Sequence, residues 1–346
     1  MLTSKQIKEI REHLDKAQNP LFLYDNDADG LCSFLLLRRF SGKGKGVAIK
    51  SYPSLDKKYF KKAEELGSDY IFILDKPVVS DDFWKEVEQY NIPVVWIDHH
   101  ELQSDVPDGV EYYNPIYNKE KTNEPVTDLC YNIVKQKNDL WLAVVGCIAD
   151  GFVPKYYVDF LEKYPDLGID TKSSLEILYK SQIGEIAKMF GAGLKDRISN
   201  VVKMSNFLIK VKSPYEVLEE TPVNSSMHER YNFLNKKYKK FIEKATEERS
   251  SGKLLFFKYG GGMSISADLA NELTYLFPDK IVVVVYVNGF KANVSGRGVG
   301  VREFVLDALH NLKNASGGGH KNAVGAQVSV DDLGVFQERL EKLIFD

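Results

Sequence analysis

Between residues 20 and 100, short apolar runs alternate with helix-length amphipathic segments, and this rhythm restricts the fold more than any other feature of the chain. The runs are LFLY (21–24), GVAIKSYP (46–53), DYIFILD (69–75) and PVVWIDHH (93–100). A helix is expected over residues 1–17, another over 30–40, and others at DKKYFKKAEEL and DDFWKEVEQY. Strands that are apolar at nearly every position belong to sheets covered on both faces, and intervening helices supply the cover. The expectation is an α/β fold built on a parallel sheet.

In sheets of this kind ligands bind at the carboxyl ends of the strands. Those ends are where the reactive side chains fall. The first run passes into Asp25, Asp27 and Asp29 at alternate positions, closed by Gly30. Asp can cap a following helix, but capping needs one such residue and not three. Carboxylates this close repel one another unless a cation lies between them, so the loop reads as a hard-cation site. Asp75 ends the third run, and Asp98, His99 and His100 end the fourth. Asp150 closes the apolar segment AVVGCIA, at a helix end where the macrodipole disfavours an anion; the plainer alternative is a loop residue beside the helix-stop Gly151. Carboxylates joined by imidazole suit Mn²⁺, with Mg²⁺ possible where fewer nitrogens bind. So acidic a set carries too much charge for one divalent ion, and two are expected, with Asp75 from the middle strand as the bridge.

Length and charge then remove other classes. A chain of 346 residues suits two domains. No apolar run approaches the roughly 20 residues of a membrane span, and the charged start MLTSKQIKEIREHLDK has no signal-peptide core, so a cytoplasmic protein is expected. Cys32, Cys130 and Cys147 are widely spaced in apolar segments and read as buried free thiols. The net charge of −3 argues against a general basic coat for nucleic acid, though not against a local groove.

Past Gly151 the pattern turns helical, ending in the long charged stretch from 227, expected to be an extended helix that stops at Gly252. A second α/β unit follows, with strands at GKLLFFKY, KIVVVVYVNG and FKANVSGRG and a helix at SISADLANELTYLF. Near its end, ASGGGH offers a glycine backbone free to approach an anion and expected to present successive N–H donors.

Taken in order, DNDADG, Asp75 in ILDKP, IDHH and Asp150 before Gly151 resemble the motifs of the DHH phosphoesterase superfamily, most of all its RecJ-like members. NEPVTDLCYNIV (123–134) resembles the segment that follows DHH in that branch, and GGGH with Ser295 and Arg297 resembles the DHH-associated C-terminal domain. The resemblance implies a DHH domain over 1–195, a helical linker over 196–250 and a smaller substrate-binding α/β domain over 251–346. It implies Asp25, Asp27, Asp29, Asp75, His99 and Asp150 as ligands of two metal ions, and Asp75, Asp98, His99 and His100 as the catalytic set. It further implies Ser295, Arg297, Gly318, Gly319 and His320 as substrate contacts. The activity implied is a RecJ-like exonuclease releasing mononucleotides from single-stranded DNA or RNA. One alternative is a hydrolase of very short oligonucleotides or cyclic dinucleotides. Another is a replication or repair scaffold working with protein partners, which the filled ligand positions disfavour.

Overall fold

The computed structural model describes residues 1–51, 54–248 and 252–345, with His320 as backbone only. The chain divides into two compact units, Met1–Asn232 and Phe233–Asp346.

In the first unit the order is α1 (Ser4–Lys16), β1 (Pro20–Asp25), α2 (Ala28–Ser41), β2 (Lys45–Ile49), α3 (Lys57–Leu66), β3 (Tyr70–Leu74), α4 (Asp81–Tyr90), β4 (Val94–Ile97) and β5 (Val110–Tyr113). The sheet runs β2-β1-β3-β4-β5, all parallel, as the alternating pattern requires. The strand expected over 46–53 occupies Lys45–Ile49, and residues 52 and 53 lie outside the described residues. β5 was not legible in the sequence, because an edge strand that is half exposed shows no continuous apolar run.

Both faces of the sheet are covered. Leu21, Leu23, Ile71, Ile73 and Trp96 face Tyr59, Phe60, Phe83 and Trp84 of α3 and α4. The intervening residues face α2, where Phe34 stacks on Tyr24 at 4.9 Å and packs against Phe22 at 5.7 Å. A buried aromatic of this kind stabilises by about 1.5–3 kcal/mol, so Phe34 anchors α2 firmly over the end of β1.

Helices α5 (Val126–Val134), α6 (Leu140–Ala149), α7 (Tyr157–Lys163), α8 (Ser174–Lys180), α9 (Gln182–Leu194), α10 (Ile198–Leu208) and α11 (Pro214–Leu218) follow. α6 is buried over residues 140–148, with α2, α5 and α9 packed around it. The three thiols lie buried and free among these helices. α12 (Ser225–Glu247) carries the boundary between the units; its expected stop near Gly252 falls beside residues 249–251, outside the described residues.

The second unit contains β6 (Leu254–Gly260), α13 (Ser266–Leu276), β7 (Ile281–Asn288), β8 (Lys291–Arg297), α14 (Val301–Leu309), β9 (Ser316–His320), β10 (Ala323–Ser329) and α15 (Leu333–Phe345). Its sheet is mixed, in the order β6-β7-β8-β10-β9, with only β6 and β7 parallel. α13 packs on one face through Leu269, Ala270 and Leu273; α14 and α15 cover the other through Val301, Val305 and Phe336. The glycine run is the edge strand β9. Successive N–H groups in a strand point to opposite sides, so the expectation of consecutive donors to one anion is corrected.

Candidate metal centre

Tyr24, Leu74 and Ile97 stand in one register row of the parallel sheet. Asp25, Asp75 and Asp98 each come one residue later, at the same edge. Parallel pairing alone therefore brings three separate sequence segments together.

Each acid is then oriented by its own local structure. Asp27 is the N-cap of α2, its Oδ1 accepting from the Gly30 amide at 2.9 Å. The plain capping reading therefore holds for this one aspartate. Gly30 is needed for close approach, since a Cβ there would stand 2.5 Å from the carbonyl oxygen of Asp25. Asp29 is buried, and both of its carboxylate oxygens accept amides from the start of α5, Val126 at 2.9 Å and Thr127 at 2.7 Å. The Thr127 hydroxyl also donates to the Asp29 carbonyl at 2.9 Å. This clamp is the structural role of the segment after DHH.

Asp75 has φ of 61°, a left-handed conformation uncommon for a residue with a side chain, and only 2 % of it is exposed. Its amide still extends the ladder by donating to Ile97 at 3.0 Å. Asp98 is fully buried and its Oδ1 pairs with Nδ1 of His100 at 2.9 Å. Asn114 donates to the His100 carbonyl at 2.8 Å and so braces the turn. His99 Nε2 lies 3.4 Å from Asp75 Oδ1 and 3.9 Å from Asp150 Oδ2. His100 Nδ1 is 3.7 Å from Asp75 Oδ1.

Two sets of donors each lie within 4.8 Å of one another, Asp75–His99–His100 and Asp29–His99–Asp150, joined through His99. Among the described residues, buried Asp75 Oδ1 and Asp98 Oδ2 have no hydrogen-bond partner. Such orphaned acceptors are costly unless a cation satisfies them, so the donor set fits a divalent ion.

The electrostatics agree. Burial, followed by Asp29, Asp27, Asp150 and Asp25, pushes the Asp75 carboxyl well above its ordinary range. Burial raises Asp29 as well, against the pull of His99 and the Thr127 and Val126 donors. Asp27, at the open rim, is pushed up to about 7 by loss of surrounding water and by Asp25 and Asp29. The same causes, with Asp29 and Asp27 as neighbours, raise Asp150 to about 8, although 40 % of its side chain meets solvent. Burial lowers His99; it opposes the charging of His100 too, but Asp98 holds that imidazole above its ordinary value.

Asp25 is placed differently. Its Oδ1 pairs at 3.0 Å with the ammonium of Lys76, a residue the motif reading passed over although it directly follows Asp75.

The remaining candidates lie in the second unit. Ser295, Gly325 and Gly318 form one register row across β8, β10 and β9; Arg297, Ala323 and His320 form the next but one. Ser295 Oγ meets Ser266 Oγ at 2.9 Å, and Arg297 Nε donates to Asn271 Oδ1 at 2.6 Å. Among the described residues a Cβ at Gly318 or Gly325 would meet nothing within 4 Å, whereas Gly319 has φ of 146° and lies tight against Ala323. The side chain of His320 lies outside the described residues. Asn271, which holds Arg297, carries no motif signal and was not found from sequence.

Residues 21–151 match the model of the DHH family N-terminal domain, and residues 251–345 match the DHHA1 domain. No curated protein matches the chain. The fold is similar to RecJ in complex with Mn²⁺ from Thermus thermophilus, with a TM-score of 0.67 at 17 % identity, covering 98 % of this chain and 54 % of that one. The chain thus spans about half the length of that RecJ. It is similar over 99 % of its length to 95 % of an exonuclease RecJ bound to manganese, TM-score 0.66 at 17 % identity. A pGpG-specific phosphodiesterase from Vibrio cholerae gives a TM-score of 0.54 at 15 % identity, over 94 % of this chain and 99 % of that one.

Proposed function

The chain belongs to the DHH superfamily of phosphoesterases, and from that premise we propose that it is a metal-dependent exonuclease of RecJ type, acting on single-stranded DNA or RNA and releasing mononucleotides. The observation that carries the reading is the pair of donor sets sharing His99, with buried Asp75 Oδ1 and Asp98 Oδ2 accepting no hydrogen bond among the described residues. Asp29, Asp75, His99 and Asp150 would hold the ions, with Asp27 beside them; mixed imidazole and carboxylate donors favour Mn²⁺, with Mg²⁺ the other candidate. A divalent ion bound there supplies Lewis-acid activation of water and phosphate.

The chain's own groups do the rest. Asp98 engages Nδ1 of His100 and favours its charged form, which leaves Nε2 as a donor to a phosphate oxygen. The α5 clamp keeps Asp29 from turning away from His99. In the second unit, Arg297 and Ser295 with the backbone of Gly318, Gly319 and His320 would hold the substrate. The domain roles follow as catalysis over 1–195, connection over 196–250 and substrate capture over 251–346.

Incubating the protein with Mn²⁺ and end-labelled single strands of DNA and RNA, from two to about 20 nucleotides, tests this. Stepwise release of mononucleotides from one end is expected, with none in excess chelator. Full activity in chelator removes the metal reading. A second reading, hydrolysis of very short oligonucleotides, is favoured by the shared extent of fold with the pGpG phosphodiesterase. Rapid cleavage of dinucleotides beside inert longer strands decides for it.

A further inference from the structure

Asp75 and Lys76 are consecutive, yet they serve opposite neighbours of the central strand. Asp75 pairs across to the β4 side, toward His99 and His100. Lys76 reaches the β1–β2 side, where its Nζ donates to Asp25 Oδ1 at 3.0 Å and to the Ser51 carbonyl at 3.4 Å. The positive φ of Asp75 makes this divergence possible, and the Lys76 carbonyl is pinned by the buried Trp96 indole N–H at 2.9 Å.

Only 4 % of the Lys76 side chain is exposed, against 31 % for Asp25. An ammonium so enclosed needs an anion, and Asp25 is the carboxylate in contact with it. An ion binding Asp25 would meet that ammonium at close range, and like charges repel strongly where water is excluded. Neither donor set around His99 includes Asp25.

We propose that Lys76 is the resident counter-ion of Asp25, and that the pair withdraws the first aspartate of the DNDADG loop from the metal-ligand set. The site then holds its ions on the β3–β4 side, and a lysine supplies the positive charge on the β1–β2 side. This assignment rests on the metal-dependent reading given above.

Mn²⁺ binding to the full-length chain, measured by calorimetry and by metal content after desalting, tests it on Asp25→Asn, Lys76→Met and the double variant. Asp25→Asn should retain the wild-type number of ions. Lys76→Met frees Asp25 and should tighten Mn²⁺ binding by about tenfold or admit a further ion. The double variant, which buries no unpaired charge, should return to wild-type binding and stands in if Asp25→Asn fails to fold. Loss of an ion in Asp25→Asn or in the double variant overturns the assignment, as does unchanged binding in Lys76→Met. Wild-type protein that binds Mn²⁺ but cleaves no phosphodiester overturns the proposed function and leaves this assignment standing. Wild-type protein that takes up no Mn²⁺ overturns both.

Discussion

The acidic strand ends of the first unit and the glycine-lined sheet face of the second solve opposite problems. Around Asp75, side chains crowd, lose water and repel one another, and among the described residues two carboxylate oxygens accept no hydrogen bond. Around Gly318 and Gly325 no described atom stands within 4 Å of a Cβ position, and the row is bordered by a guanidinium that Asn271 holds in place. The first region stores electrostatic free energy that a cation can release. The second stores nothing, and offers access. Stability and function should therefore respond in opposite senses in the first region and independently in the second.

The largest effect expected is at Asp75. Replacing it with Asn should reduce hydrolysis at least about a thousandfold, an effect of the size seen when a key electrostatic group is removed. The metal-free protein should at the same time melt higher, because one of the crowded carboxylates is gone. A variant that melts lower without metal, or keeps its activity, breaks the comparison. Next, Arg297→Ala should weaken substrate capture about 10- to 100-fold in KM while metal content stays at the wild-type level, as measured by steady-state kinetics and metal analysis. Lost metal in that variant assigns the two regions the wrong roles.

Two glycines sharpen the contrast. Gly30→Ala drives a Cβ against the backbone of Asp25 and should cost about 1–3 kcal/mol in denaturant unfolding. Gly318→Ala points into open space and should change stability by less than about 0.5 kcal/mol, while raising KM by obstructing substrate.

The smallest effect concerns pH. Asp27 and Asp150 are raised to about 7 and about 8, above their values in the unfolded chain, so the native state binds more protons across that interval. Their contribution is full below about pH 4 and is lost as pH rises through 7 and 8. His99, which is lowered, works in the other direction. Chelator-treated protein should melt lower at pH 8 than at pH 5, and Mn²⁺ should raise the midpoint more at pH 8. A higher midpoint at pH 8 without metal contradicts the crowding described here.

The motifs were legible because parallel strands bury both faces and announce themselves as apolar runs, and because acids at their ends have few structural uses. Lys76 was not, since a lysine after a strand is ordinarily a surface residue and only its 4 % exposure shows otherwise. Asn271 was equally silent, being a single polar residue whose partner Arg297 lies on another element, and so was Asn114, whose bond to the His100 carbonyl spans a turn that only the fold closes. The edge strands β5 and β9 escaped because pairing on one side demands no continuous apolar run.

By itself the sequence determined the parallel sheet, the carboxyl-terminal edge at which the acids and imidazoles fall, and the residue types gathered there. All three follow from local patterning, since burial on two faces and the repulsion of adjacent acids act within a few residues. Only the tertiary structure decided how each acid is employed, because that depends on distant partners. The amides of α5 take Asp29, the start of α2 takes Asp27, and Lys76 takes Asp25. Asp75 is left buried between the two histidines, its Oδ1 3.4 Å from His99 and 3.7 Å from His100 and accepting no hydrogen bond among the described residues.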